Sequence, residues 1–549
     1  MKFKKVFAAV LALVSFMNAP ISALAYIDVT ETVRANSGEH IDVGSVTVEN
    51  SNVAVDVYTS DKAASVDVAG DVSLKTNDLG AVVSVEGDYA SANIAGDVTG
   101  DAGNMISGIK AQGSANNNTT TTVEVDGDVT VFGGNYAIGV TSSDADIEIG
   151  KDINVDGKYA TGISFSSIKE ANASVSSINV SGEYVTGAVL TSYAEGNASG
   201  NVTLDIVGDL TVSASSEETP GANGIILSNN GGEIHANVMG NIEVDALDGE
   251  AYGIITSYES LPTISESTNE VKVDGDIIST GVGIHYNDID ESVSNTIAVN
   301  GTILADDVAI LLDDENIARS NLNLVVWKIV ANENGNYAEK IEIEENEKVR
   351  SKAANFEKSI NYIIKAEQPE EGARIRLSSE EELVVAKAGE KVTFSVDLEN
   401  GYDLLGAYNG EKEKVKLNKD EAGNYYVIVP NGGGVYLSLI LATKTSSVPV
   451  NNKTGVAGVR TGRAAGGVLG VGVQEETKER EVPEVEKNDD DSSAQATTLE
   501  DETLAGAQGV EEGASMWWVW LLIVLAAAAG YGVYKYADTK KKAANTNEK

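Results

Sequence analysis

Thr122–Ser143 reads TVEVDGDVTVFGGNYAIGVTSS, and its pattern decides the fold. Val123 and Val125 flank Glu124, then Asp126-Gly127-Asp128 interrupts. Val129 and Val131 alternate again, and a third run carries Ala137-Ile138-Gly139-Val140. Apolar residues at every second position mark short strands with one buried face. The Asp-Gly-Asp step marks the turn between two of them.

The same plan recurs in degenerate form. Its turn returns at Gly70-Asp71, Gly96-Asp97, Gly208-Asp209, Gly240-Asn241, Gly275-Asp276 and Gly301-Thr302. Its third run returns at Ala160-Thr161-Gly162-Ile163, Val185-Thr186-Gly187-Ala188, Ala222-Asn223-Gly224-Ile225, Ala251-Tyr252-Gly253-Ile254 and Gly281-Val282-Gly283-Ile284. One unit of three strands leaves its apolar face open, and stacked units bury a continuous column. The expected fold is therefore all-β: a parallel β-helix solenoid over 26–330, of about ten coils, each rising ~4.8 Å. Extra residues such as Ser213–Gly221 and Glu259–Ser267 loop out at corners. A flat sandwich or a propeller is the structural alternative, although a propeller blade calls for four strands in about 40–50 residues. Open ends of a solenoid pair with foreign strands unless covered. Tyr26–His40 is expected to cap one end and Asn321–Val330, with Trp327, the other.

The chain has 549 residues, a formal net charge of -45 and no cysteine. Residues 26–320 hold 9 Lys/Arg against 47 Asp/Glu, a net of -38. Such a surface repels nucleic-acid phosphates, so no nucleic-acid partner is expected. Without cysteine there is no disulfide, thiolate catalysis or zinc-thiolate site. His40, His235 and His285 are the only histidines.

The two ends indicate location. Residues 1–25 have a basic start (Lys2, Lys4, Lys5), an apolar run and Ala23-Leu24-Ala25, the form of a cleaved signal peptide. Met516–Tyr534 is uncharged, with Trp517, Trp518 and Trp520 at one end and Tyr531 and Tyr534 at the other. A helix of that length spans about 28 Å, close to a bilayer core. Lys535 and Lys540–Lys542 follow, so residues 516–535 are expected to be one transmembrane helix with a cytoplasmic tail at 536–549 and the rest extracellular. No L-P-x-T-G sorting motif precedes the span. Residues 443–515 are poor in large apolar groups and acidic towards their end, the composition of a disordered linker that would act as a stalk.

A connector is expected over 331–359, with a helix in Glu347–Ser359, and a small antiparallel β domain over 360–442. Six strands are expected there: Tyr362–Glu367, Ala373–Leu377, Glu382–Ala386, Lys391–Leu398, Tyr425–Val429 and Val435–Leu441. AKAGEKVTFSVDLENGYDLLGAY and GNYYVIVPNGGGVYLSLIL in this region resemble the bacterial repeat module of Gram-positive surface proteins. The matching features are Gly389–Phe394, Gly401-Tyr402, Tyr426–Pro430 and Val435–Leu441. Gly432–Gly434 departs from the Ala/Gly-Asp usual there. The resemblance covers about 80 residues and implies a surface spacer or adhesive accessory rather than an enzyme. More loosely, the repeat region resembles adhesin-type β-helices of secreted bacterial proteins.

No catalytic, cofactor-binding or metal-ligating residue emerges. A glycosidase needs paired carboxylates beside a cleft. The candidates are Asp126 with Asp128, Asp306 with Asp307, and Asp313 with Asp314. The first pair flanks a recurring turn, and the others suit solvated faces. His235 alternates with Ile234 and Ala236 and is expected at the surface. The tyrosines look scattered. No cofactor is expected; a structural calcium ion is the metal that oxygen-rich turns at Asp97–Asp101 and Asn287–Asp290 would admit. The function that fits is a membrane-anchored, adhesin-like cell-surface protein presenting an extended surface to an extracellular glycan or protein. A polysaccharide-degrading β-helix enzyme and a purely structural envelope protein are the alternatives.

Overall fold

The computed structural model describes residues 27–444, apart from 114–119, 196–197, 216–220, 248–249, 258–266, 288–291, 314–320, 333–335, 344–346, 352–355, 378–382 and 412. The expected signal peptide, linker, transmembrane helix and tail lie outside these residues. Among the described residues no helix is long and apolar enough to cross a membrane.

The repeat region is a parallel β-solenoid. Each coil has three faces, seen in Thr121–Val125 for the first and the bent strand Val129–Ser143 for the second and third. Coil stacks on coil in register: Val123 beside Ile147, Val131 beside Val155, Val140 beside Ile163. Neighbouring coils pair in parallel, which excludes the sandwich and the propeller, whose neighbours are mostly antiparallel. Val123, Val125, Val129, Val131, Ala137 and Val140 are all buried, as the period-two pattern requires. Corners absorb the variable repeat length. Gly133 faces Gly157 and Tyr136 faces Tyr159, with two residues between them in one coil and one in the next.

The Gly-Asp corner works differently from a simple turn. The Asp71 carboxylate accepts the Asp97 N–H at 3.0 Å, Asp97 that of Asp128 at 2.9 Å, and Asp128 that of Asp152 at 3.1 Å. The same ladder links Asp209 to Asn241 at 2.7 Å, Asn241 to Asp276 at 2.9 Å and Asp276 to Thr302 at 2.6 Å. An amide oxygen does the work at Asn241, so the requirement is an acceptor rather than a charge. Gly127 itself has no positive φ. A Cβ there would overlap the Asp97 carboxylate and the Gly96 backbone. The glycine makes room for the bond from the coil before.

The described residues of Tyr26–His40, expected as a cap, belong to the first coil: Val33–Ala35 pairs with Val55–Val57, and the strand that begins at His40, His40–Val43, with Ser65–Val68. Asn321–Val330 is likewise no cap. Leu322–Ala331 pairs along its length with Val293–Ala305. The described residues of Glu347–Ser359 hold no α-helix: Glu347–Ser351 pairs antiparallel with Tyr337–Ile343, and Phe356–Ser359 is a 3-10 turn. Tyr337–Glu339 pairs with Ile310–Leu312, and Glu347–Ser351 supplies partners for the backbone groups that run on to Ile343.

The β domain does the capping. It holds two four-stranded sheets around Ile375, Phe394, Val427, Val429 and Leu437. Four of the expected strands recur closely, Ala373–Leu377, Lys391–Leu398, Tyr425–Ile428 and Tyr436–Thr443, and Tyr402–Asn409 is an unexpected addition. Gly432–Gly434 lies along the last solenoid coil. The Ile329 N–H donates to the Gly432 carbonyl at 2.7 Å, and the Gly434 N–H to the Trp327 carbonyl at 2.7 Å. All three glycines have φ between 73° and 82°. A Cβ at Gly433 would overlap Tyr362 and the Trp327 carbonyl. Trp327 is half-buried at this junction, its Nε1–H on the Val435 carbonyl at 3.2 Å and the Lys365 ammonium 4.0 Å from its ring centre.

Candidate ligand-binding faces

At the corner between the second and third faces the register brings three tyrosines together. Tyr136, Tyr159 and Tyr184 begin the third-face strand in successive coils. Their rings stack at 4.9 and 5.2 Å, with interplanar angles of 18° and 11°. All three are half-exposed. The row extends through Met105 to Leu79, which is 52% exposed. Stacked rings expose an edge and a phenol each, so the ladder offers an apolar flank with hydroxyls at a coil's spacing. Lys158 stands beside it, its ammonium 3.1 Å from the Glu183 carboxylate. Burial is the main reason that the Tyr159 phenol titrates above the usual tyrosine range, while Lys158 pulls the other way.

Next to this ladder the second face carries a shallow depression of about 270 Å³, lined by Phe132, Asn154, Asp156, Asn179, Ser181, Thr211 and Ser213. Phe132 is 49% exposed. Asn179 donates to the Asn154 carbonyl oxygen at 3.0 Å. Side-chain amides and hydroxyls thus form rows beside apolar surface, the mixture that fixes a polyhydroxylated ligand. These three tyrosines are not scattered, although their wide spacing along the chain suggests it. The signal was a Tyr-[Ala/Val]-x-Gly motif at Tyr136, Tyr159 and Tyr184, legible only once the glycines are aligned.

The first face is acidic. A second depression of about 410 Å³ is lined by Asp67, Asn93, Glu124 and Asp126 among others. Glu124 faces Glu148 in the next coil. Burial first, then Glu148, then Asp126, holds the Glu124 carboxyl above the usual carboxylate range. A carboxyl that binds its proton more readily when folded lowers stability above its folded pKa and has no effect below its unfolded one, ~4.3. Glu124→Gln is therefore expected to raise the thermal midpoint at pH 7 by at most about a degree, because solvent screens the exposed carboxylates. The gain should shrink as the pH falls and vanish below about 4, and a scan of midpoint against pH checks this.

The other sequence candidates separate. Asp128 belongs to the corner ladder, and Asp126 lies exposed on the edge of the acidic depression. Asp306 accepts from the Asn332 amide at 2.7 Å, and Asp313 lies 3.1 Å from Nε2 of the buried His285. Asp314 and residues 288–290 lie outside the described residues. At Asp97–Asp101, Asp97 accepts the Asp128 N–H, and the Asp101 carboxylate is 3.3 Å from the Lys75 ammonium. His235 is half-exposed, with Glu233 and Glu270 at 3.3 and 3.2 Å from its two ring nitrogens. Among the described residues His40, Asp42 and Asp67 form the one group able to hold a metal ion, their ligand atoms lying within 4.8 Å of one another. No protein-family model matches this chain, and no curated protein or solved structure matches it.

Proposed function

We propose that this is a membrane-anchored, adhesin-like protein of the cell surface whose solenoid binds an extracellular glycan along the tyrosine ladder and its polar groove. The observation that carries the reading is the half-exposed stack of Tyr136, Tyr159 and Tyr184 beside rows of amide and hydroxyl side chains. A polymer laid along the coils meets the same chemistry at each step, so weak contacts add. The signal-like start, the uncharged stretch Met516–Tyr534 and the resemblance of 360–442 to a Gram-positive surface module support a surface location. The full chain is expected to bind a subset of glycans on an array. Tyr159→Ala should weaken that binding by roughly tenfold, since it removes the centre of the stack. Silence on both glycan and host-surface arrays would sink the adhesin reading.

A second reading, a polysaccharide-degrading enzyme, is favoured by one feature. Glu124, with its raised pKa, shares a depression with Asp67 and Asp126. A general acid is helped by any rise in its pKa, and it needs a second carboxylate close by. Under this reading the chain shortens a glycan and Glu124→Gln abolishes the activity. Glycans that bind and stay intact leave adhesion standing.

A further inference from the structure

We propose that His40, Asp42 and Asp67 form a binding site for a divalent cation of the zinc class. His40 and Asp42 lie two residues apart on one strand, on the same outer side of the first face. Asp67 stands directly beside Asp42 in the next coil. The sheet register therefore fixes all three positions before any ion arrives.

The atoms converge. His40 Nε2 lies 3.2 Å from Asp42 Oδ1 and 3.7 Å from Asp67 Oδ2. Zinc bonds of ~2.1 Å in tetrahedral geometry place ligand atoms roughly 3.4 Å apart, so an ion fits with little adjustment. Both outer partners also orient the ligands inward. The other imidazole nitrogen, Nδ1, is 2.7 Å from the Ser65 hydroxyl. The Asn93 amide donates at 2.6 Å to Asp67 Oδ1, the oxygen not facing His40. Metal sites commonly hold their ligands by such second contacts.

Without a cation, only an imidazolium, with Nδ1–H on Ser65 and Nε2–H towards the two carboxylates, satisfies the group; a neutral ring leaves a carboxylate without a donor. His235 shows the contrast: its two carboxylates approach different ring nitrogens and so converge on no single point. One nitrogen with two oxygens suits zinc better than calcium or magnesium, which prefer oxygen alone. A fourth position stays open to water, since His40 and Asp42 are each about half exposed.

The three histidines make the test direct. In the full chain labelled at histidine Cε1, zinc chloride should move the His40 resonance and leave those of His235 and His285 in place. Isothermal titration should give one site, lost in His40→Ala and weakened at least about tenfold in Asp67→Asn. Calcium chloride at the same concentration should leave the resonance unmoved. His235→Ala is the control for surface imidazole and should retain the site. The proposal is overturned if zinc shifts no resonance, if it shifts His235 instead, if Asp67→Asn binds as tightly as the parent, or if calcium binds equally well.

Discussion

Gly162→Val is expected to lower the thermal midpoint by about 10 °C, the consequence of a loss of roughly 3–5 kcal/mol. Gly162 sits in a glycine column that runs up the third face. A Cβ there would come within 2.5 Å of the Gly187 carbonyl oxygen and 2.5 Å of Ile178 Cγ2. One of those neighbours is backbone in the next coil and has no rotamer to change. The other is a fully buried isoleucine whose own position sets the spacing between two faces. Relief therefore requires parting two coils, which breaks parallel pairing on both sides. Circular dichroism on heating reads the effect. Ile178→Ala should cost less in the Gly162→Val protein than in the parent, because it relieves one of the two contacts. A midpoint within two or so degrees of the parent would show that the coils part easily, contrary to this account.

Asn269→Leu is expected to cost about 2–4 kcal/mol through lost hydrogen bonds in the solenoid interior. Asn229 donates to the Asn269 carbonyl oxygen at 2.9 Å, and Asn269 donates to that of Asn295 at 2.8 Å. Asn295 in turn lies 3.3 Å from the Tyr286 hydroxyl. All four side chains are at most 2% exposed. Leucine keeps the volume and removes a donor and an acceptor from the middle of the row. Replacing Asn229, Asn269 and Asn295 together by leucine should cost less than the sum of the single changes, since each amide–amide bond is lost once in the triple variant and counted twice in the sum. Urea unfolding of the parent, the three single variants and the triple variant measures this. Strict additivity would mean that the three amides act independently.

The sequence carries the strand faces well, because burial at Val123, Val125, Val129 and Val131 depends only on a local period of two. It carries the partners of those strands poorly. The carboxylate of Asp97 looks like a solubilising turn residue until its acceptor role for a residue 31 positions away is visible. Asp67 and His40 are 27 positions apart, and coils of variable length hide that they are neighbours. Tyr402–Asn409 has no clean period of two in the sequence, because a bulge between Leu404 and Gly406 breaks its alternation. Gly432–Gly434 looked like a departure from a familiar module. It is the segment that lies against the last coil, and only glycine fits both its φ and its neighbours.

The corner ladder also has a direction. In every rung the acceptor belongs to the earlier coil and the N–H to the later one, from Asp71 and Asp97 through to Asp276 and Thr302. A ribosome delivers the earlier coil first. Each new coil therefore emerges beside a finished template that already presents its carboxylate, and the chain is able to assemble in the order in which it is made, without waiting for its far end.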